Sequence, residues 1–145
     1  MHINLIPAYE EDIQFLLDLR VLTMGMYLGK SGIPNTTEEH LYRIKYNFVD
    51  AQIIEYNSQK IGLFKASYLK ESNQWYLFQI QIHPNFQNLK IGSHLVKALI
   101  NKASQQGRSV GLSVLKNNPA LSFYIRLGFK IIQETNDELE LSLTF

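Results

Sequence analysis

Residues 84–100 read PNFQNLKIGSHLVKALI. The chain leaves an apolar strand, crosses a short polar loop without an acidic residue, and launches a strongly apolar helix from a glycine and a serine. The first turn of a helix has backbone N–H groups without intrahelical partners, so the stretch Gln87–Ser93 is expected to aim several donors at one point. Water satisfies them in the plain reading. A phosphate satisfies them in the sharper one, helped by Lys90, the Ser93 hydroxyl and the positive end of the helix dipole. The stretch lacks GxxxxGK[ST], which excludes a Walker A loop.

Working outward, Ile91, Leu95, Val96, Leu99, Ile100 and Ala103 fall on one face of a helix running from Ile91 or Gly92 to about Gln105, with Gly107 as its stop. Upstream, residues 51–84 are rich in Ile, Tyr, Phe and Trp and break at NSQK and KESNQ, which predicts a meander of three strands ending before Pro84. Residues 2–7 read as a strand. The helix after it starts acidic and puts Ile13, Leu16, Leu17, Leu19 and Leu22 at helical spacing. GKSGIPN breaks structure, and Thr36 and Thr37 before EEHLYRIKYNF predict a capped second helix. Downstream, SVGLSVL is a buried strand. NNPALSFYIRLGF puts Asn118 at an N-cap, Pro119 at the first helical position and Gly128 past the end. The tail predicts a hairpin around TND, with Leu139, Leu141, Leu143 and Phe145 alternating against Glu138, Glu140, Ser142 and Thr144. The order is β-α-α-β-β-β-α-β-α-β-β, an α+β fold in which residues 1–145 form one domain.

Composition narrows the function. Fourteen Lys plus Arg against thirteen Asp plus Glu give a net charge of +1, without any block of like charge. That argues against nucleic-acid binding through bulk electrostatics. The absence of Cys removes disulfides, thiolate zinc sites and thiol nucleophiles, and suits a reducing compartment. The histidines His2, His40, His83 and His94 lack ligand spacing, so no metal is expected. The N-terminus lacks the pattern of a secretory signal, and no apolar run is long enough to span a bilayer, so the expectation is a soluble cytoplasmic protein with no membrane partner.

The two motifs in order, IQIHPNFQNLKIGSHLVKALI and then VLKNNPALSFYIRLGF, resemble the GNAT superfamily of acyl-CoA N-acyltransferases. The phosphate loop of that superfamily reads Q/R-x-x-G-x-G/A, matched by Gln87, Gly92 and the following Ser93. Its later helix reads N-x-x-A-x-x-x-Y-x-x-x-G-F, matched by Asn118, the neighbourhood of Ala120, Tyr124, Gly128 and Phe129. The resemblance implies a central mixed, mostly antiparallel sheet of about six to seven strands flanked by about four helices. It also implies that strands 74–83 and 109–115 run parallel and splay apart. Free backbone groups on Ile80 and Ile82 would then pair with the pantetheine arm of coenzyme A, and the diphosphate would lie over Gln87, Asn88, Lys90, Gly92 and Ser93. One departure stands out: Lys90 replaces the first glycine of the loop pattern. A site requiring positive φ would be strained by lysine. The intact remainder of the pattern favours a backbone without that need, with the ammonium group adding to phosphate binding.

The reaction implied is acetyl transfer from acetyl-CoA, as cosubstrate, to a primary amine in a ternary complex. The Ile80 N–H would stabilise the developing oxyanion, and Tyr124 would be the general acid. Tyr124 equally fits a core stripe with Ala120, Phe123 and Leu127, and Asn118 a helix cap as well as a pantetheine contact. The general base is left between His83 and a water relayed through Gln81 or backbone carbonyls. Met24, Met26, Tyr27, Tyr42 and Tyr46 either line an acceptor cleft or belong to the core. Small-molecule and protein amines both fit as acceptor, and the resemblance leaves room for a homodimer. The alternative is a catalytically weak or inactive acyl-CoA-binding module on the same fold, for which Lys90 is the main support.

Overall fold

Alternating apolar residues build the sheet, and in a computed structural model they do so over β1 (Ile3–Pro7), β2 (Ala51–Tyr56), β3 (Gln59–Leu69), β4 (Gln74–Ile82), β5 (Ser109–Leu115), β6 (Lys130–Glu134) and β7 (Glu138–Leu143). The structure describes residues 2–30, 32–33 and 35–145, with the side chain of Met26 left out. Ser31 and Pro34 of the GKSGIPN breaker therefore lie outside the described residues. The four α-helices among the described residues are α1 (Ile13–Lys30), α2 (Thr37–Lys45), α3 (Ile91–Gln105) and α4 (Ala120–Arg126). The spatial order is β1-β2-β3-β4-β5-β7-β6. Among the described residues only the β4–β5 pair is parallel. Element order and the mixed, mostly antiparallel sheet agree with the sequence expectation. No described helix is long and apolar enough to cross a membrane.

The sheet divides two cores. Helices α3 and α4 cover one face, where Ile91, Val96, Leu99 and Tyr124 pack on Leu77, Val110 and Leu112. On the other, Leu16 and Leu19 of α1 and Ile44 of α2 pack on Ile53 and Leu63. Burying each such side chain contributes about 1.5–3 kcal/mol, so both faces are well secured. The caps follow the sequence. Thr36 accepts a bond from Glu39 N at 3.2 Å, and Gly107 and Gly128 take positive φ after α3 and α4.

Several expectations shift. Leu22 is 56% exposed, because the inward face of α1 continues instead with Arg20, Thr23 and Tyr27. The helix also runs on to Lys30, through the first residues of GKSGIPN. Pro119, not Asn118, occupies the N-cap position of α4, although Asn118 Oδ1 still accepts from Ala120 N at 2.9 Å. Phe145 is exposed, beyond the last paired residue of β7. Strand β4 stops at Ile82, and His83 instead caps a 3-10 turn over Pro84–Leu89.

The expectation for Lys90 is overturned. Its backbone lies at φ 61, ψ 23, the left-handed region in which the helix start is set, so the position does want glycine's freedom. Elsewhere, Gly62 is required by close approach: a Cβ there would collide with the Gln81 carbonyl oxygen and come within 3.0 Å of Ile54 Cδ1. Two outcomes follow in chemical denaturation. Lys90→Gly should stabilise the protein by about 1 kcal/mol by relieving the left-handed lysine, and an unchanged midpoint would mean that no strain is stored there. Gly62→Ala should destabilise it by about 2–3 kcal/mol as overpacking between β3 and β4, and a loss below about 0.5 kcal/mol would show that the strands part without cost.

Candidate active site between two splayed strands

Strands β4 and β5 pair from Gln74↔Ser109 to Leu77↔Leu112 and no further. The cause lies on the other edge of β4. There Lys65 pairs with Gln79 and Ala66 with Leu77, leaving Phe78 as an extra residue. Such a bulge bends its strand and increases local twist, and here it sits directly after the last parallel pair. Past it, His83 N donates to Ile61 O at 2.8 Å, so strand alternation turns the main chains of Ile80 and Ile82 away from β3, toward β5. The Ile80 N–H and C=O thus face a gap with no strand across it. Ile82 is less free than expected, because Gln87 Nε2 donates to its carbonyl at 2.9 Å.

The start of α3 closes one end of this gap. The 3-10 turn over Pro84–Leu89 takes up amides by its own i→i+3 bonding, as when Phe86 N donates to His83 O at 2.8 Å. Free donors therefore concentrate on Ile91, Gly92 and Ser93. They lie ahead of the helical ladder, whose first bond runs from His94 N to Lys90 O at 3.1 Å, and the Lys90 side chain does not cap the helix. Gly92 lets this end approach β4: a Cβ would stand 3.3 Å from Ile82 Cδ1.

A cavity of about 330 Å³ joins these parts, lined among others by Ile80, Ile82, Gln87, Lys90, Gly92, Ser93 and Tyr124. Asn88, predicted alongside them, is not brought to it. Tyr124 is 6% exposed, and burial pushes its phenol up to about 12. The hydroxyl takes no protein hydrogen bond among the described residues, and the side chain packs edge-on against Phe123 and Phe129. It is therefore both core and cavity wall. Asn118 lines the larger cavity described next, with its Oδ1 committed to the α4 cap. His83 lines neither cavity: its Nδ1 accepts from Asn85 N at 3.2 Å and its ring meets Phe86.

On the opposite face of the sheet, a cleft of about 800 Å³ runs between α1, α2 and the strands. It shares Ile80, Ile82, Gln87, Ala120 and Tyr124 with the smaller cavity, so the two meet at the gap. Met24, Tyr27, Tyr42 and Tyr46 line it as the cleft alternative predicted, and Met26 lies outside the described side chains. Gln79 Oε1 and Gln81 Oε1 are buried on its floor without a hydrogen-bond partner among the described residues, two acceptors suited to holding water.

Sequence reading missed the charges of this cleft. Arg20 is 7% exposed, its Nε donates to His40 Nδ1 at 3.0 Å, and burial, then Arg43, lowers it to about 10. Lys65 is fully buried, capping the end of α2 through the carbonyls of Arg43 and Ile44 at 3.0 Å and Tyr46 at 2.5 Å. Burial, then Arg20, lowers its ammonium to about 8. Across the cleft the Tyr76 hydroxyl donates to Glu140 Oε2 at 3.0 Å, and burial raises the Glu140 carboxyl. The signal was positional: Arg20 follows buried Leu16 and Leu19 at helical spacing, and Glu140 sits on a strand flanked by strands on both sides.

The fold recurs among solved structures. PaiA N-acetyltransferase from Thermoplasma acidophilum, in complex with coenzyme A, superposes with a TM-score of 0.72 at 18% identity, covering 100% of both chains. An acetyltransferase from Thermus thermophilus gives 0.76 at 18% identity, covering 100% of this chain and 98% of its own. Arabidopsis thaliana Naa50, bound to the bisubstrate analogue CoA-Ac-MVNAL, gives 0.70 at 16% identity over 100% of both chains. At such identities the likeness is one of fold. No curated protein matches by sequence. The profile of the Acetyltransferase (GNAT) family, however, matches residues 17–129, most of the chain and both halves of the gap. This protein belongs to the GNAT acetyltransferase family.

Proposed function

We propose that this protein is an N-acetyltransferase that moves an acetyl group from acetyl-CoA to a primary amine by direct attack in a ternary complex. One observation carries the reading. The two cavities meet at the gap between β4 and β5, where the Ile80 main chain and the Tyr124 side chain border the same space. Donor and acceptor can therefore approach one point from opposite faces of the sheet. Holding them so supplies much of the acceleration.

The donor is held by the smaller cavity. The amides of the pantetheine arm extend β4 as an added strand on the Ile80 main chain and the Ile82 N–H, while Asn118 borders the path. The diphosphate lies on the amides of Ile91, Gly92 and Ser93, with the Lys90 ammonium and the Ser93 hydroxyl beside it. Gln87 acts differently from the sequence expectation: by holding the Ile82 carbonyl it fixes the turn that presents α3.

The neutral amine attacks the thioester carbonyl carbon and forms the C–N bond. The carbonyl oxygen gains negative charge, which the Ile80 N–H stabilises. The C–S bond then breaks, the departing thiolate takes its proton from the Tyr124 hydroxyl, and the phenolate regains a proton from solvent as CoA leaves. The proton lost by the amine passes to water held on Gln81 Oε1 and Gln79 Oε1, both unpartnered on the cleft floor. No covalent enzyme intermediate is involved, as suits a chain without Cys.

Calorimetry and a thiol-release assay test the scheme together. Tyr124→Phe should bind CoA as the parent does but turn over roughly 10²-fold more slowly or worse. Equal turnover would remove Tyr124 from the chemistry, and CoA binding by neither protein would remove the acetyl-CoA reading itself. The pH profile gives a second check. Burial raises the Tyr124 phenol to about 12, so its acid form persists below that pH and is lost only above it. The rate should rise as the amine loses its proton and show no fall by pH 10 in the parent, whereas a decline below pH 10 that persists unchanged in Tyr124→Phe would assign the acid to another group.

A further inference from the structure

Arg20 presents an unusual electrostatic position. It is 7% exposed yet lines the larger cleft, and its only side-chain bond among the described residues is the one from Nε to His40 Nδ1 at 3.0 Å. Accepting that bond, His40 is neutral at Nδ1 and offers no countercharge. The two terminal nitrogens of Arg20 are left to the cleft. Its charged neighbours, Arg43 and Lys65, are cations. The carboxylates nearby are otherwise placed. Asp50 accepts the Ser67 hydroxyl at 2.6 Å and acts on Lys65. Glu39 stands at the cleft rim and forms no ion pair among the described residues. A buried guanidinium without a counterion is unfavourable for the empty fold, a cost that an anionic ligand would offset.

The far wall has the opposite sign. Glu138 and Glu140 project from β7 into the same cleft, held by Ser113 Oγ at 2.9 Å and the Tyr76 hydroxyl at 3.0 Å. Between the walls runs an aromatic floor, with Tyr46 and Phe78 5.4 Å apart and Phe78 and Tyr76 4.7 Å apart. We infer that the acceptor is an amine that also carries an oxyanionic group, a carboxylate or phosphate, which docks on Arg20 beside Arg43 while the amine end passes the Tyr76–Glu140 wall to reach the gap at Ile80. A polyamine is the wrong match, since its second cation would lie against Arg20 and Lys65. Identifying the occupant as the acceptor rests on the transferase reading above. The anion site itself rests on Arg20.

Matched acceptors test this. With acetyl-CoA fixed, kcat/KM is compared for amino acids against their amides, and for O-phosphoethanolamine against ethanolamine and spermidine. The anionic member should win by roughly ten- to a hundredfold, the range of charge-assisted hydrogen bonds. Whichever pair shows the larger ratio assigns carboxylate or phosphate. Arg20→Met should reduce that ratio below about threefold while CoA affinity by calorimetry stays unchanged, and it should raise the thermal midpoint by deleting an uncompensated buried charge. A role confined to packing against His40 would instead lower the midpoint and leave the ratio intact. Arg43→Gln, on the exposed neighbour, gives a second reading if Arg20→Met does not fold, with the ratio again expected to fall. CoA binding with neutral or cationic amines preferred would overturn this inference and leave the transferase standing. Absence of CoA binding would overturn the transferase, and the anion site would then stand or fall on calorimetric titration of the parent and Arg20→Met with the same acids: binding to the parent alone supports it, and binding to neither ends it.

Discussion

The interaction on which the structure turns is one that stops. Parallel pairing between β4 and β5 ends at Leu77↔Leu112, where the extra residue Phe78 bends β4 away. Ordinarily a buried strand edge without partners is costly, since each unpaired main-chain group forfeits a hydrogen bond. Here the unpaired groups of Ile80 face a space bordered by the uncapped start of α3. Main-chain donors arranged ahead of any ligand cost no reorganisation when charge develops near them. A bulge of one residue thus opens the sheet, frees the donors and lets cavities on its two faces communicate.

The two faces differ in how they handle charge. On the α3 face the polar work falls to the backbone, set by a lysine held in the left-handed region and a glycine against Ile82. On the α1–α2 face it falls to side chains: two buried cations, Arg20 and Lys65, stand across from Glu138 and Glu140. Lys65 is satisfied by three carbonyls and serves the fold. Arg20 has one neutral acceptor, His40 Nδ1, and no counterion among the described residues, which sets a structural cation apart from one suited to a ligand.

The order of elements was legible because period, capping residues and breakers agreed along the chain. Leu95, Val96 and Leu99 on α3 and the alternation of Leu139 and Leu141 on β7 all landed in the core. The loop was legible as a donor cluster, but not its conformation. The motif around Lys90 looked intact enough to spare it a left-handed backbone, which neighbouring turn geometry then imposed. The charged cleft escaped for a related reason. Glu140 on β7 falls on the polar side of an alternating strand, and Arg20 on α1 is a charged residue at the spacing of buried Leu16 and Leu19; only strand order shows that both look into a cleft. Periodicity reports which side of an element is apolar. It does not report what stands opposite the polar side.

Residue-resolved amide hydrogen exchange of the protein with and without CoA bears most directly on the central claim. CoA should slow exchange at Ile80, Ile82, Gly92 and Ser93 together, as an added strand and a bound diphosphate occupy those donors. Protection that appears elsewhere while these four amides keep their unliganded rates would contradict the account.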